Sequence, residues 1–234
     1  MKTPLLVLVA ALALIVLLAL PVLFSDSVTQ QMRPEEMPWR IERDEKGETR
    51  VLGISLGRST LKDVKARFGG ELEVAIVVAR GIEPGKEAEN AALEGYYERI
   101  MLGQISARLV VTLAASAKTL AALLNQAGKA EALGSGSRKY ALPAGALTDA
   151  DRWIVAAITL IPSASLDETQ VERLFGAPAR VYAAEATLKH YLYPERGLDI
   201  VLDEKGKDIF QYVAPSAFET RILRPLNLPS SFVE

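Results

Sequence analysis

The stretch LDETQVERLFGAP, residues 166–178, constrains its own backbone more tightly than any other part of the chain. Asp167 stands where an N-cap accepts from the free amides of a first helical turn, and Gln170 stands in the reciprocal place of a capping box. Leu166 is placed to staple onto Val171. Val171, Leu174 and Phe175 fall on one helical face. Gly176 then supplies a left-handed stop, and Pro178 bars any continuation. The pattern predicts a short helix with both ends fixed, set on something apolar.

A fainter copy lies at residues 59–71, STLKDVKARFGGE. Aligning Phe175-Gly176 with Phe68-Gly69 puts Thr60 on Asp167, Asp63 on Gln170, Val64 on Val171 and Arg67 on Leu174. The copy has Ser59 at the staple position and no proline after its glycine. Each copy has a β-like run before it and at least three after it. This arrangement predicts an α+β fold with two helix-plus-antiparallel-sheet repeats in tandem.

The runs themselves are short and rich in Val, Ile, Tyr and Thr. Strands are expected over 39–43, 49–54, 72–80, 94–102 and 106–113, then over 153–161, 180–186, 189–193, 198–202 and 209–213. Leu198, Ile200 and Leu202 alternate against Asp199 and Asp203, which predicts a sheet with one buried and one wet face. Residues 114–132 are rich in Ala, Leu and Lys and should be helical, with Leu120, Leu123, Leu124 and Ala127 on one face. Gly134-Ser135-Gly136-Ser137 is a flexible break and the natural junction between the halves.

Residues 4–24, PLLVLVAALALIVLLALPVLF, carry no charge, and about 20 such residues span a bilayer as a helix. Lys2 precedes the run and Arg33 is the first cation after it, so the positive-inside rule places the bulk of the chain across the membrane from the cytoplasm. A cleaved signal peptide is the alternative, with Ser25 and Ser27 near the cut, although the run is longer than an ordinary h-region. The chain then divides into a cytoplasmic stub and transmembrane anchor (1–26), a tether (27–38) and a first repeat (39–115). A connecting helix and flexible loop (116–147), a second repeat (148–214) and an extended tail (215–234) with three prolines follow.

Charge and cysteine content exclude several roles. The formal net charge of −2 offers no basic stripe for nucleic acid. The absence of cysteine removes disulfides, thiolate metal sites, a cysteine nucleophile and an N-terminal lipidation cysteine together. No cofactor and no metal are expected.

The motif D-x-x-Q-V-x-x-L-F-G-x-P, with the HYLY and GLDIVLDEKG runs after it, resembles the SmpA/OmlA family of small envelope lipoproteins over residues 160–213. Two such units in tandem are also similar to the fold of β-lactamase-inhibitor protein, a protein-binding scaffold. The resemblance implies a non-enzymatic binding module of a bacterial envelope, with envelope or inner-membrane proteins as partners. The chain departs from the family in having no lipobox cysteine and an inner-membrane type of anchor in its place.

Sharper chemistry is available in a few places. Gly53-Ile54-Ser55-Leu56-Gly57 is a literal G-x-S-x-G, so a serine hydrolase using Ser55 and His190 is a second reading, although the alternating βα pattern of such enzymes is missing. His190, the only histidine, is expected on the wet face of its strand. Asp149 and Asp151 read as a capping turn, since no calcium loop surrounds them. Glu83, Glu87, Glu89, Glu94 and Glu98 gather in one segment as a solvated face or an acidic contact patch. Tyr96, Tyr97, Tyr182, Tyr191, Tyr193 and Tyr212 divide between the core and a binding face. A third reading, a binder of small ligands or cell-wall fragments, requires a concave pocket between the halves.

Overall fold

The computed structural model describes residues 37–232. The expected membrane anchor and most of the tether lie outside the described residues. Among the described residues, no helix is long and apolar enough to cross a membrane.

The described residues open with a small three-stranded sheet, β1 (Glu42–Arg43), β2 (Thr49–Val51) and β3 (Ile54–Ser55). The chain continues through α1 (Leu61–Phe68), β4 (Glu73–Val78), β5 (Ala91–Leu102) and β6 (Ile105–Leu113). Then come α2 (Ala117–Leu124), β7 (Glu131–Ala132), β8 (Arg138–Ala141) and α3 (Ala144–Asp149). The last part holds β9 (Val155–Pro162), α4 (Glu168–Phe175), β10 (Arg180–Glu185), β11 (Leu188–Tyr193), β12 (Leu198–Asp203) and β13 (Ile209–Val213). The class is α+β with antiparallel sheets.

Helices α1 and α4 are each closed by side chains at the first turn. Thr60 accepts from the Asp63 amide at 3.4 Å while the Asp63 carboxylate takes the Thr60 amide at 2.7 Å. Asp167 accepts from the Gln170 amide at 2.7 Å, and Gln170 accepts from the Asp167 amide at 2.9 Å. Each helix ends at a glycine of positive φ, Gly69 at 62° and Gly176 at 79°. Side-chain caps of this kind hold about 1 kcal/mol each, which matters for helices of only eight residues.

The ten-stranded sheet runs β10-β11-β12-β13-β9-β6-β5-β4-β8-β7. In both halves the chain leaves a capped helix, enters an outer strand and meanders inward. The first half goes β4, β5, β6 and returns through β9; the second goes β10, β11, β12, β13. The meanders join where β13 and β9 pair antiparallel in the middle of the sheet.

Tyr97, Leu109, Leu160 and Phe210 are successive cross-strand partners and so share one face. Phe68 of α1 meets Tyr97 with centroids 6.1 Å apart, and Phe175 of α4 meets Phe210 edge-on at 5.5 Å. Both helices therefore cover that near face, and the apolar core lies between them and the sheet. The N-terminal segment shares in this core through Val51, Leu52, Ile54 and Leu56, all at most 1% exposed. The Tyr212 hydroxyl donates to the Pro38 carbonyl at 2.9 Å, and the Thr49 hydroxyl lies 3.0 Å from the carbonyls of both Arg196 and Val213. Gly197, at φ 63°, allows that approach. A Cβ there would stand 1.9 Å from the Val213 carbonyl oxygen.

Three expectations are corrected. The helix expected over 114–132 ends at Leu124. Only Leu120 and Leu123 are buried, so a single turn of apolar cover supports the helix, and it closes at Asn125 before the exposed Gly128. Gly134-Ser135-Gly136-Ser137 is the turn of the β7–β8 hairpin, with the Leu133 amide donating to the Ser137 carbonyl at 2.9 Å. That hairpin adds to the outer edge of β4, so this segment extends the sheet. The tail is not merely extended. It forms helical turns at Pro215–Ala217 and Glu219–Leu223 and packs onto the sheet.

Candidate binding face

Strand alternation assigns the far face of the sheet, opposite α1 and α4. In the second half it carries Arg180, Tyr182, His190, Leu192, Asp199, Val201, Gln211 and Val213, and the tail closes over it. Phe218, Ile222 and Leu223, at most 3% exposed, pack with Leu192, Val213 and Ala157, and Leu226, Leu228 and Phe232 extend the cover. The Phe232 ring stands edge-on to Tyr182 at 5.8 Å.

The wet face expected for β11 and β12 is therefore buried. His190 is 6% and Asp199 1% exposed. Nδ1 of His190 lies 2.8 Å from Oδ2 of Asp199, and the ring packs beside Tyr182. Burial pushes the Asp199 carboxyl above its ordinary value, against the pull of His190. The other Asp199 oxygen is buried without a partner.

Among the described residues, no segment covers the far face of the first half in this way. Val77, Ala92, Glu94, Tyr96, Val110 and Thr112 are all partly open, and Met101 at its end is 56% exposed. Register sets Glu94 between Ala75 and Thr112, with Ala92 and Tyr96 on its own strand. No cation or donor among the described residues reaches its carboxylate. Burial raises its proton affinity above the usual carboxylate range. Charge around it is already paired. Lys139 reaches Glu73 and Glu131 at 3.0 Å each, and Arg108 reaches Glu98 at 3.0 Å. The Tyr96 hydroxyl donates to Glu98, which lowers that carboxyl, and Tyr96 itself is raised by burial and then by this bond.

This half-open surface mixes an aromatic ring, aliphatic side chains and one carboxylate that has no partner among the described residues. Beside it a cleft of about 230 Å³ is lined by Arg99, Arg108, Ser106, Ser163 and Lys207, among others. That volume is below the range of most ligand pockets.

The other residues singled out from the sequence fall in different places. Thr60, Asp63, Val64, Phe68 and Gly69, like Asp167, Gln170, Val171, Phe175, Gly176 and Pro178, belong to α1, α4 and their ends on the near face. Val64, Val171 and Phe175 are at most 1% exposed. Ser55 lies in β3 beside an open cleft of about 660 Å³ lined by Arg43, Asp44, Arg50 and Arg58, among others. No hydrogen bond joins Ser55 to His190, which is occupied by Asp199 beneath the tail. Asp149 ends α3 and Asp151 pairs with Lys65 at 2.6 Å. Among the described residues, no group of acidic, histidine or cysteine side chains forms a metal-binding cluster. The five glutamates disperse, with Glu83 on Lys86, Glu87 on Arg138, Glu98 on Arg108, Glu89 in the helical turn Glu87–Asn90, and Glu94 on β5 with no partner among the described residues. Tyr97, Tyr191, Tyr193 and Tyr212 join the near-face core, and Tyr96 and Tyr182 lie on the far face.

No protein-family model matches the chain, and comparison with curated proteins and with solved structures finds no match.

Proposed function

We propose that this chain is a membrane-anchored, periplasmic and non-catalytic binding or scaffold protein of a bacterial envelope complex, and that it docks a protein partner on the far face of its first half. The observation that carries the reading is the contrast between the two halves. One far face is closed by the chain's own tail. The other leaves Tyr96 and Val110 partly open and Met101 exposed, and among the described residues nothing partners the half-buried Glu94 carboxylate.

A half-buried carboxylate with no cation beside it among the described residues suits a donor from outside, so the partner presents a lysine, an arginine or free backbone amides there. The uncharged run at 4–24 supports the anchor, and tethering would raise the effective concentration at membrane partners. The matched capped helices and inward meanders support a tandem duplication. The resemblance of residues 160–213 to the SmpA/OmlA family supports an envelope role.

The test is the paired variant Tyr96→Asp with Val110→Asp, which alters the open face and leaves the buried core intact. In crosslinked envelope membranes the partner recovered with the wild-type chain is expected to be lost. Undiminished recovery with a folded variant overturns the reading.

A further inference from the structure

The two outer strands end differently. The outer side of β4 is paired with β8, in register from Ala75–Ala141 to Val78–Arg138. Its counterpart β10 is the last strand of the sheet, with no described strand on its outer side. An open edge of six residues is a template for another strand. Val181 is 45% exposed there, and Arg180, Ala183 and Glu185 are exposed as well.

A bulge decides what fits this edge. Ala183 pairs with Lys189, but Glu185 pairs with Leu188, so Ala184 is the extra residue. Without the bulge, Arg180 and Glu185 would point to opposite faces. With it, Arg180, Tyr182 and Glu185 share the far face, and Val181 and Ala183 share the near face.

A second copy rotated about a two-fold axis normal to the sheet keeps faces matched. With the axis at Tyr182, Arg180 of each copy stands opposite Glu185 of the other. Val181 stands opposite Ala183, and Tyr182 opposite its own counterpart. Glu185 makes no hydrogen bond or ion pair among the described residues. Arg180 sends Nε to the Phe232 carbonyl at 2.9 Å and its guanidinium lies over the Phe232 ring, 5.4 Å from the centroid, which leaves the terminal N–H groups for the incoming carboxylate.

We infer that this chain forms a two-fold dimer by antiparallel pairing of β10 with β10 of a second copy, in the register that sets Arg180 against Glu185. The inference stands on the sheet edge and is independent of the docking face on the first half.

The test uses the full chain in detergent, with mass measured by sedimentation. The wild type is expected to dimerise. Arg180→Glu sets two carboxylates against two carboxylates, and Glu185→Arg sets two guanidinium groups against two; each alone should dimerise at least about tenfold more weakly. Mixed together they restore both pairs and should recover the wild-type affinity. A monomeric wild type, unimpaired single variants, or a mixture no tighter than its components overturns the inference.

The native chain has no cysteine, so Tyr182→Cys reports the register independently. Directly opposed strand positions have Cα atoms about 4.5–5.5 Å apart, within disulfide reach. Oxidation should give covalent dimer from Tyr182→Cys and far less from Met101→Cys. Equal yields count against the pairing.

Discussion

Leu223→Ala probes the tail's closure of the second half most sharply. Leu223 is 1% exposed and belongs to the cluster that includes Leu192 at 0% and Val213 at 3%. The substitution removes three carbon groups from the packed side, at about 0.8 kcal/mol each, or roughly 2.5 kcal/mol. The tail turn is tied to its surroundings by the Leu226 and Leu228 amides, which both donate to the Leu223 carbonyl, so the site cannot fully collapse. Residual cavity raises the expected loss to about 3–4 kcal/mol. Val110→Ala on the open face deletes a side chain that solvent already reaches and should cost under about 1 kcal/mol. Urea unfolding followed by the fluorescence of Trp39 and Trp153 measures both. A Leu223→Ala loss below about 1 kcal/mol, or one equal to that of Val110→Ala, refutes the claim that the two far faces differ in cover.

Other consequences are as direct. Thr60→Ala and Asp167→Ala should each cost about 1 kcal/mol and add in the double variant, since the two caps share no partner; strong coupling in a double-mutant cycle contradicts this. Gly197→Ala forces a Cβ onto the Val213 carbonyl at 1.9 Å and should cost more than about 3 kcal/mol in thermal or urea unfolding. Glu94 has a raised carboxyl pKa, so the folded state holds this proton more firmly than the unfolded chain. Its contribution is therefore greatest below the ordinary carboxyl value and falls as pH climbs to the raised one. Glu94→Gln removes that fall. It should exceed the wild type in stability at neutral pH and converge with it in acid, and a difference independent of pH would exclude the assignment.

Much of the fold is legible in the sequence where local chemistry suffices. Capping pairs, glycine stops and period-two runs locate α1, α4 and most strands to within a few residues, because those signals act within one turn or one strand. The pairing of β9 with β13 is not written in either strand. Both are simply apolar, and only their long-range meeting orders the sheet.

His190 and Asp199 show the same limit at the level of a site. Alternation tells which residues share a face, but not whether something lies over it. Polar residues at those positions read as wet until the tail is folded down. A signal for that cover was present in Phe218, Ile222 and Leu226, spaced by four, with Leu223 and Phe232 beside them, although three prolines mask the period. The open face of the first half was partly legible. Tyr96 and the glutamates stood out, but the isolation of Glu94 needed the register that parts it from Lys139 and Arg108.

The proposed docking face is tested most directly by site-specific photocrosslinking in intact envelope membranes, with the reactive side chain placed singly at Val110, at Thr112 and at Leu147 of α3, which is 50% exposed. A discrete adduct with one envelope protein is expected from Val110 and Thr112 and none from Leu147. Adducts that are absent from the first two positions, or equally abundant from Leu147, contradict the account.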